Sequence, residues 1–426
     1  MKINKKVIIG IIISIILILL INLILLLNRD DSVGDKGQVI EGEITFVSNR
    51  TDKRTEINNL INEFEKINPK VKVKLELIGD AEGILERKAS VGELPDVTLV
   101  PSVIDAKELN NYFLPIDDLG FNEGNIYSYK SGVGSDKKLY SLATSMSWHG
   151  VVYNKKIFNE LDITSIPKTE DEFFDICNKI KDNNIVPVAL NYKQSWIMSM
   201  WVDMIPYLYN SSMEDDILLL PKDVLGDNSE IYKSLNFVHK IYANGYSEDD
   251  LLHYDWTQCK NDIIGGKVAM TIWNSDFIKQ LEELGMNKGD IGIFPIPETN
   301  EIELFGDYRI GISKNTKYPE AAKEFLKFLF EEDRYTNTIN TISNNKENEE
   351  TAIFLKELDD FNIPVRFQEN ALFNQNEAKN RRHDKFFDLK NEVGIDYSLV
   401  QKYIISNDID SLRDETNKRW RNYRGN

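Results

Sequence analysis

The sequence predicts an α/β protein built in two regions behind an N-terminal apolar segment. Between residues 43 and 100, strand and helix patterns alternate, which is the signature of a parallel sheet wrapped by helices. A second alternation of the same kind starts near Thr144. Ahead of both, Val7 to Leu27 is a run of 21 residues interrupted only by Gly10, Ser14 and Asn22.

In the first region "GEITFVSN" reads as a strand opening into a polar loop. In "RTEINNLINEFEKINP", Ile57, Leu60, Ile61, Phe64 and Ile67 recur at helical spacing until Pro69. "VKVKLELI" alternates strictly, with Val71, Val73, Leu75 and Leu77 on one face. "AEGILERKASVGE" supplies a helix and "PDVTLVPS" a short apolar strand. Ligands of such sheets lie beyond the carboxyl ends of the strands, where the loops "SNRTD" and "PSVID" fall. In the second region "GVVYNKKIF" runs from strand to helix, and "TEDEFFDICNKIKDNN" is an amphipathic helix capped by Thr169. "IVPVALN", "KVAMTIW" and "IGIFPIP" are strands, and "YPEAAKEFLKFLFEED" is a helix entered through Pro319. The tail from Asn340 carries a polar run followed by helical and irregular sequence.

At about 1.5 Å per residue, the 21-residue run at Val7 to Leu27 reaches about 30 Å as a helix, the thickness of a hydrocarbon core. Lys2, Lys5 and Lys6 precede it and Asp30, Asp31 and Asp35 follow, which puts the rest of the chain outside the cytoplasm. The run exceeds the roughly 7–15 residues of a cleaved signal and lacks an Ala-x-Ala site. An uncleaved transmembrane anchor over residues 1–28 and a polar stalk over 29–39 are expected. The chain of 426 residues carries 51 Lys and Arg against 69 Asp and Glu, for a net charge of −18. That field disfavours nucleic acid as a partner. Cys177 and Cys259 do not make a disulfide framework, and the four histidines lack metal-ligand spacing. No metal and no cofactor are expected.

The order of fragments carries more than any one of them. "EITFVS", "FEKINPKVKVKLE", "LPDVTLV", "LPIDDL", "LYSLATSMSWHGVVYNKKIF", "PKTEDEFFDICNKIKDNN", "GGKVAMTIW", "IGIFPIP" and "GISKNTKYPEAAKEFLKFL" follow one another. Together they resemble the extracellular solute-binding proteins of ATP-driven importers, in the carbohydrate-binding branch that includes the maltodextrin-binding protein. The resemblance covers about Glu43 to Glu332. It implies a two-lobed, periplasmic-binding-protein-like clamshell of type II whose chain crosses between lobes three times. The crossings fall near Leu139–Thr144, near Ile291–Pro297 and just after the "PEAAKEFLKFL" helix. The N-lobe would comprise 40–142 and 298–332, and the C-lobe 143–297 and 333–426.

A sugar site needs aromatic platforms for C–H faces and planar polar groups for hydroxyl pairs. Ser147 and Trp148 stand just past the first crossing, beside a His149 read as a partly buried histidine. Gln194 and Trp196 follow a buried strand where the family commonly places an acceptor and an aromatic. Trp273 lies where the family offers a stacking aromatic. Asn49 and Arg50 follow the first strand, and Ser102 the third, with Asp105 close by. Gly306, Asp307 and Tyr308 replace the family's usual Gly-Gly-aromatic element, and this departure brings a carboxylate to the cleft. Asp276 reads as a helix cap, Trp201 as core, and Tyr153, Asn154 and Lys155 as structural. No G-x-S-x-G, H-E-x-x-H or Gly-rich phosphate loop is present.

The expected function is therefore a monomeric, membrane-tethered substrate-binding protein that hands a mono- or oligosaccharide to ABC permease subunits and does no chemistry. A ligand-sensing ectodomain of the same fold, or a surface glycan-degrading enzyme, are the alternatives. Relatives commonly tether through a lipidated Cys. Asn28 and Arg29 stand where it would be, which makes the uncut helix its substitute.

Overall fold

Hydrophobic alternation organises both lobes of this chain, for which a computed structural model describes residues 40–79, 81–210, 223–367, 385–386 and 388–424. The expected anchor and most of the stalk lie outside the described residues. Among the described residues no helix is long and apolar enough to cross a membrane.

The strands in chain order are β1 Gly42–Ser48, β2 Val71–Leu77, β3 Val97–Leu99, β4 Ser141–Ala143, β5 Met146–Ser147, β6 His149–Asn154, β7 Val186–Ala189, β8 Val268–Asn274, β9 Ile291–Phe294, β10 Ile302–Gly306, β11 Arg309–Ile312 and β12 Val365–Phe367. The first lobe is built on a sheet ordered β2-β1-β3-β11-β4, in which β1 runs parallel to β2 and β3 while β11 is antiparallel to its neighbours. Ile57, Leu60, Ile61 and Phe64 of the Arg54–Ile67 helix bury against this sheet, and Phe64 meets Phe325 of the Pro319–Phe330 helix edge-on at 4.9 Å. The helix stops at Asn68, since the residue before a proline is pushed out of the helical region. Ile67, at the end of the apolar series, is exposed.

The second lobe carries a sheet ordered β7-β8-β6-β9. Its helix Glu170–Asp182 starts with a complete capping box, in which Glu172 N–H donates to Thr169 Oγ1 and Thr169 N–H to Glu172 Oε2, as the sequence predicts for Thr169. Asn154 caps the following Lys155–Glu160 helix and donates to the Ile263 carbonyl at 2.8 Å. Cys177 and Cys259 are buried and free. The tail, which carried no family motif, closes this lobe. Leu399, Val400, Tyr403 and Ile404 of the Tyr397–Ile405 helix, with Trp420 further on, join the core formed by Trp201, Phe237 and Leu235.

Between the lobes, three stretches of chain run side by side. Thr144 N–H donates to Tyr308 O, Met146 N–H to Ile342 O, and Asn344 Nδ2 to Ala143 O, all at 2.8–2.9 Å. β5 pairs with β10, and β12 flanks β10, making a small third sheet. At the tightest approach, a Cβ on Gly306 would stand 2.3 Å from the Ala143 Cβ, so only glycine lets the two stretches lie this close. The last stretch returns later than expected. Tyr335 and Ile339 of the Arg334–Ile339 helix belong to the first lobe's core, beyond the predicted boundary at residue 332.

Candidate functional site

A cleft of about 190 Å³ opens between the lobes. From the second lobe, Trp196, Trp256, Trp273 and Asn274 line it, together with Asp276, Lys279, Gln280 and Glu283. The last four share one face of the Asp276–Glu283 helix, whose opposite face buries Phe277 and Leu281. From the other side come Asn49 and Arg50 after β1, Asp307 between β10 and β11, and Asn340 and Thr341.

The three indole rings form a corner. Trp196 and Trp273 lie 4.7 Å apart at 73°, Trp196 and Trp256 5.1 Å at 78°, and Trp256 and Trp273 6.1 Å at 77°. Edge-to-face contact of this kind suits the ring quadrupole and fixes the faces that remain open. Trp273, next to last in β8, pairs with Gly150 and is backed by His149, 5.8 Å away and edge-on, which itself stacks on Phe305 at 4.5 Å. Burial holds the His149 pKa down at about 3, so the ring is neutral. Trp256 Nε1 donates to Gln280 Oε1 at 3.1 Å. Trp196, on the first turn of the Ser195–Asp203 helix, is 44 % exposed, the most open of the three. Glu248 holds the loop before that helix by accepting from Leu190 and Asn191 N–H at 2.7 and 2.9 Å.

The charged wall is tightly wired. Arg50 Nε and Nη2 donate to the Asp52 carboxylate at 3.0 and 2.8 Å, and Nη1 donates to the Ile339 carbonyl at 2.8 Å. Burial works against the Arg50 charge, and the Asp52 carboxylate more than offsets it. Lys53 Nζ reaches Glu283 Oε1 at 2.5 Å from the first lobe, and Asn340 Nδ2 reaches the same oxygen at 2.7 Å. Lys279 pairs with Glu350 at 2.5 Å.

Asp276 and Asp307 differ from these. Asp307 is open to the water of the cleft yet walled in by both lobes, and this desolvation raises its pKa against the pull of Arg50. Burial, followed by repulsion from Asp307, pushes the Asp276 pKa up to about 7, while Arg50, the Ser147 hydroxyl and Lys279 oppose the rise. One carboxylate oxygen of Asp276, Oδ1, is buried without a hydrogen-bond partner.

Of the residues singled out in the sequence, Asn49, Arg50, Trp196, Trp273 and Asp307 come together at the cleft. The others do not line it. Trp148 is 1 % exposed and packs with Met146, Leu304 and Phe361 in the core under the crossing stretches, so it is not a platform. Ser147 is fully buried, its Oγ 2.9 Å from Ser275 Oγ. Gln194 is the N-cap residue of the Ser195–Asp203 helix, with Oε1 buried and unpaired. Ser102 donates to Glu82 Oε1 from both N–H and Oγ, at 2.5 and 2.6 Å. Tyr308 packs on the first lobe's core while its carbonyl takes Thr144 N–H. Asp276 is not the cap of its helix, because Ser275 holds that position and the Asp276 side chain turns to the cleft. Trp256 and Gln280 were missed in the sequence. The spacing Asp276, Lys279, Gln280, Glu283 was the available signal for Gln280, whereas nothing local separates Trp256 from a core tryptophan.

A two-lobed α/β fold with its cleft at the strand ends defines a class of ligand-binding proteins. Residues 48–334 match the model of the bacterial extracellular solute-binding proteins, and the chain belongs to that family. It is 23% identical over 300 residues to the multiple sugar-binding protein of Streptococcus mutans, covering 67% of this chain and 70% of that one. Two solved structures from Bifidobacterium animalis subsp. lactis share the fold. One is a manno-oligosaccharide-specific solute-binding protein with mannotriose, with a TM-score of 0.74, 23% identity, and 91% and 96% of the two chains covered. The other is an ABC transporter binding protein with mannotriose, with a TM-score of 0.75, 24% identity, and 91% and 96% covered.

Proposed function

We propose that this chain is the substrate-binding component of an ATP-driven importer, tethered outside the cell by its N-terminal segment. It takes a mono- or oligosaccharide between its lobes and delivers it to the permease without doing chemistry. The observation that carries this reading is the cleft itself, where three fixed indole faces on one lobe meet Asn49, Asp307 and Asn340 on the opposing wall. Flat apolar faces opposite planar polar groups are what a pyranose ring requires, and lobe closure removes water from the bonds it makes. The family and the sugar-binding relatives support the same reading.

A thermal-shift screen of residues 40–426 against a carbohydrate library tests the ligand class. A specific sugar at a hundredfold excess over Kd should stabilise the fold by about 2.7 kcal/mol. If no sugar moves the midpoint while an amino acid or polyamine does, the ligand class is wrong. Membrane fractionation of the full chain tests the tether, and recovery in the soluble fraction would remove it.

A further inference from the structure

The three indoles of the corner stand on three separate elements, and one buried residue is bonded to all three. Trp196 lies on the first turn of the Ser195–Asp203 helix, Trp256 opens the Trp256–Ile264 helix, and Trp273 is carried by β8. Asn191, fully buried, links them. Its carbonyl accepts Gln194 N–H at 3.0 Å, closing the turn that leads into the Trp196 helix. Its Nδ2 donates to Thr271 Oγ1 at 3.2 Å and to Cys259 Sγ at 3.4 Å. Thr271 precedes Trp273 by two residues in β8, so the two share a face of the strand. Cys259 follows Trp256 by three residues and shares its face of the helix.

This link is itself anchored. Buried Glu248 accepts Leu190 and Asn191 N–H at 2.7 and 2.9 Å, and Thr271 Oγ1 donates onward to the Ala189 carbonyl at 3.0 Å. Asn191 sits at φ 54°, in the left-handed region that asparagine and glycine tolerate. Apolar packing is non-directional and would let the three elements slide. Hydrogen bonds from one amide are directional and hold them in one relation. Oδ1 of Asn191 is buried without a hydrogen-bond partner, a cost that stability alone would not favour.

We propose that Asn191 is a positioning residue for the cleft: by tying together the elements that carry Trp196, Trp256 and Trp273, it sets the angles between the indole faces and, through them, the affinity for a sugar. Its effect on affinity rests on the carbohydrate reading above.

Circular dichroism and sugar titration of the full chain test it together. Closely spaced indoles couple their far-ultraviolet transitions, and the resulting couplet depends on the angle between the rings. Trp148, Trp201 and Trp420 pack on phenylalanines instead, so the couplet reports the corner. Asn191→Gly keeps the left-handed turn and removes the amide. It should shrink the couplet and weaken the tightest binder among maltotriose, cellotriose and mannotriose about tenfold, since indoles that are not preset must be ordered on binding. Thr271→Val should move both readouts the same way, and Thr271→Ser, which keeps the hydroxyl, should restore both. Ile157→Ala, a cavity at the end of the same lobe's sheet remote from Trp273, should lower the melting temperature and leave both readouts unchanged. A parental couplet in Asn191→Gly overturns the proposal, whatever the affinity does, and so does a couplet that falls equally in Ile157→Ala. A lost couplet with parental affinity overturns the link to binding. If neither these trisaccharides nor the library yields a sugar for the parent, the carbohydrate reading falls, and the couplet still decides whether Asn191 sets the corner.

Discussion

Lys53 and Glu283 meet across the cleft, Nζ to Oε1 at 2.5 Å, and thereby join the loop after β1 in one lobe to the last turn of a helix in the other. Asn340 adds a hydrogen bond to the same carboxylate. Both side chains are largely shielded, at 12 % and 31 % exposure, so the pair exceeds a fully solvated surface bridge in strength while staying weak enough to open. Glu283→Gln should shift the ligand-free protein toward the open form. Small-angle scattering should show a larger radius of gyration, and ligand affinity should drop about fivefold, corresponding to about 1 kcal/mol. An unchanged radius would mean that the pair does not govern closure.

Trp273 lines the cleft and Trp148 is buried in the core, and substitution should expose the difference. Trp273→Ala should weaken binding of the best library sugar at least tenfold with little change in melting temperature. Trp148→Ala, which empties a fully buried site, should cost about 3–5 kcal/mol of stability. Equal effects on the two measurements in both variants would contradict the assignment.

Asp276 should leave its mark on the pH dependence of stability. Its folded-state pKa is raised from 3.8 to about 7, so the native state holds the proton more tightly than the unfolded chain. The stability this contributes is complete below the unfolded value and is lost as pH rises through about 7. Asp276→Asn removes that loss. The variant should melt above the parent at pH 8, and the gap should close toward pH 4. A gap that is the same at both pH values would place the charge in a more solvated position.

Gly306 sits where two crossing stretches touch. Gly306→Val would push its Cβ into Ala143, so overpacking should cost about 1–3 kcal/mol and disturb the neighbouring Asp307. Chemical denaturation measures the first effect and sugar titration the second. Parental stability and affinity would show that the stretches can part freely.

Much of the scaffold was legible because periodicity reports burial directly. The helix of Ile57, Leu60, Ile61 and Phe64, and the cap at Thr169, follow from local pattern alone. Trp273 and Trp196 were legible as aromatics just beyond buried strands. Trp148 looked identical, and residues far along the chain, Leu304 and Phe361 among them, make it core. Asp276 was read as a cap because a carboxylate at a helix start usually is one, and the neighbouring Ser275 took the position instead. Ser102 was captured by Glu82, a contact that no local spacing announces. The tail stayed silent because its helices are defined by the core they complete rather than by a motif.

All three tryptophans of the cleft belong to the second lobe, whereas Asn49 and Arg50 belong to the first. A ligand arriving at the open protein therefore meets a finished apolar shelf before it meets the opposing wall. Capture and enclosure become separate events in time, the first read by indole fluorescence and the second by the distance between lobes. The rate of capture would then belong to one half of the molecule, and the lifetime of the complex to the agreement between both.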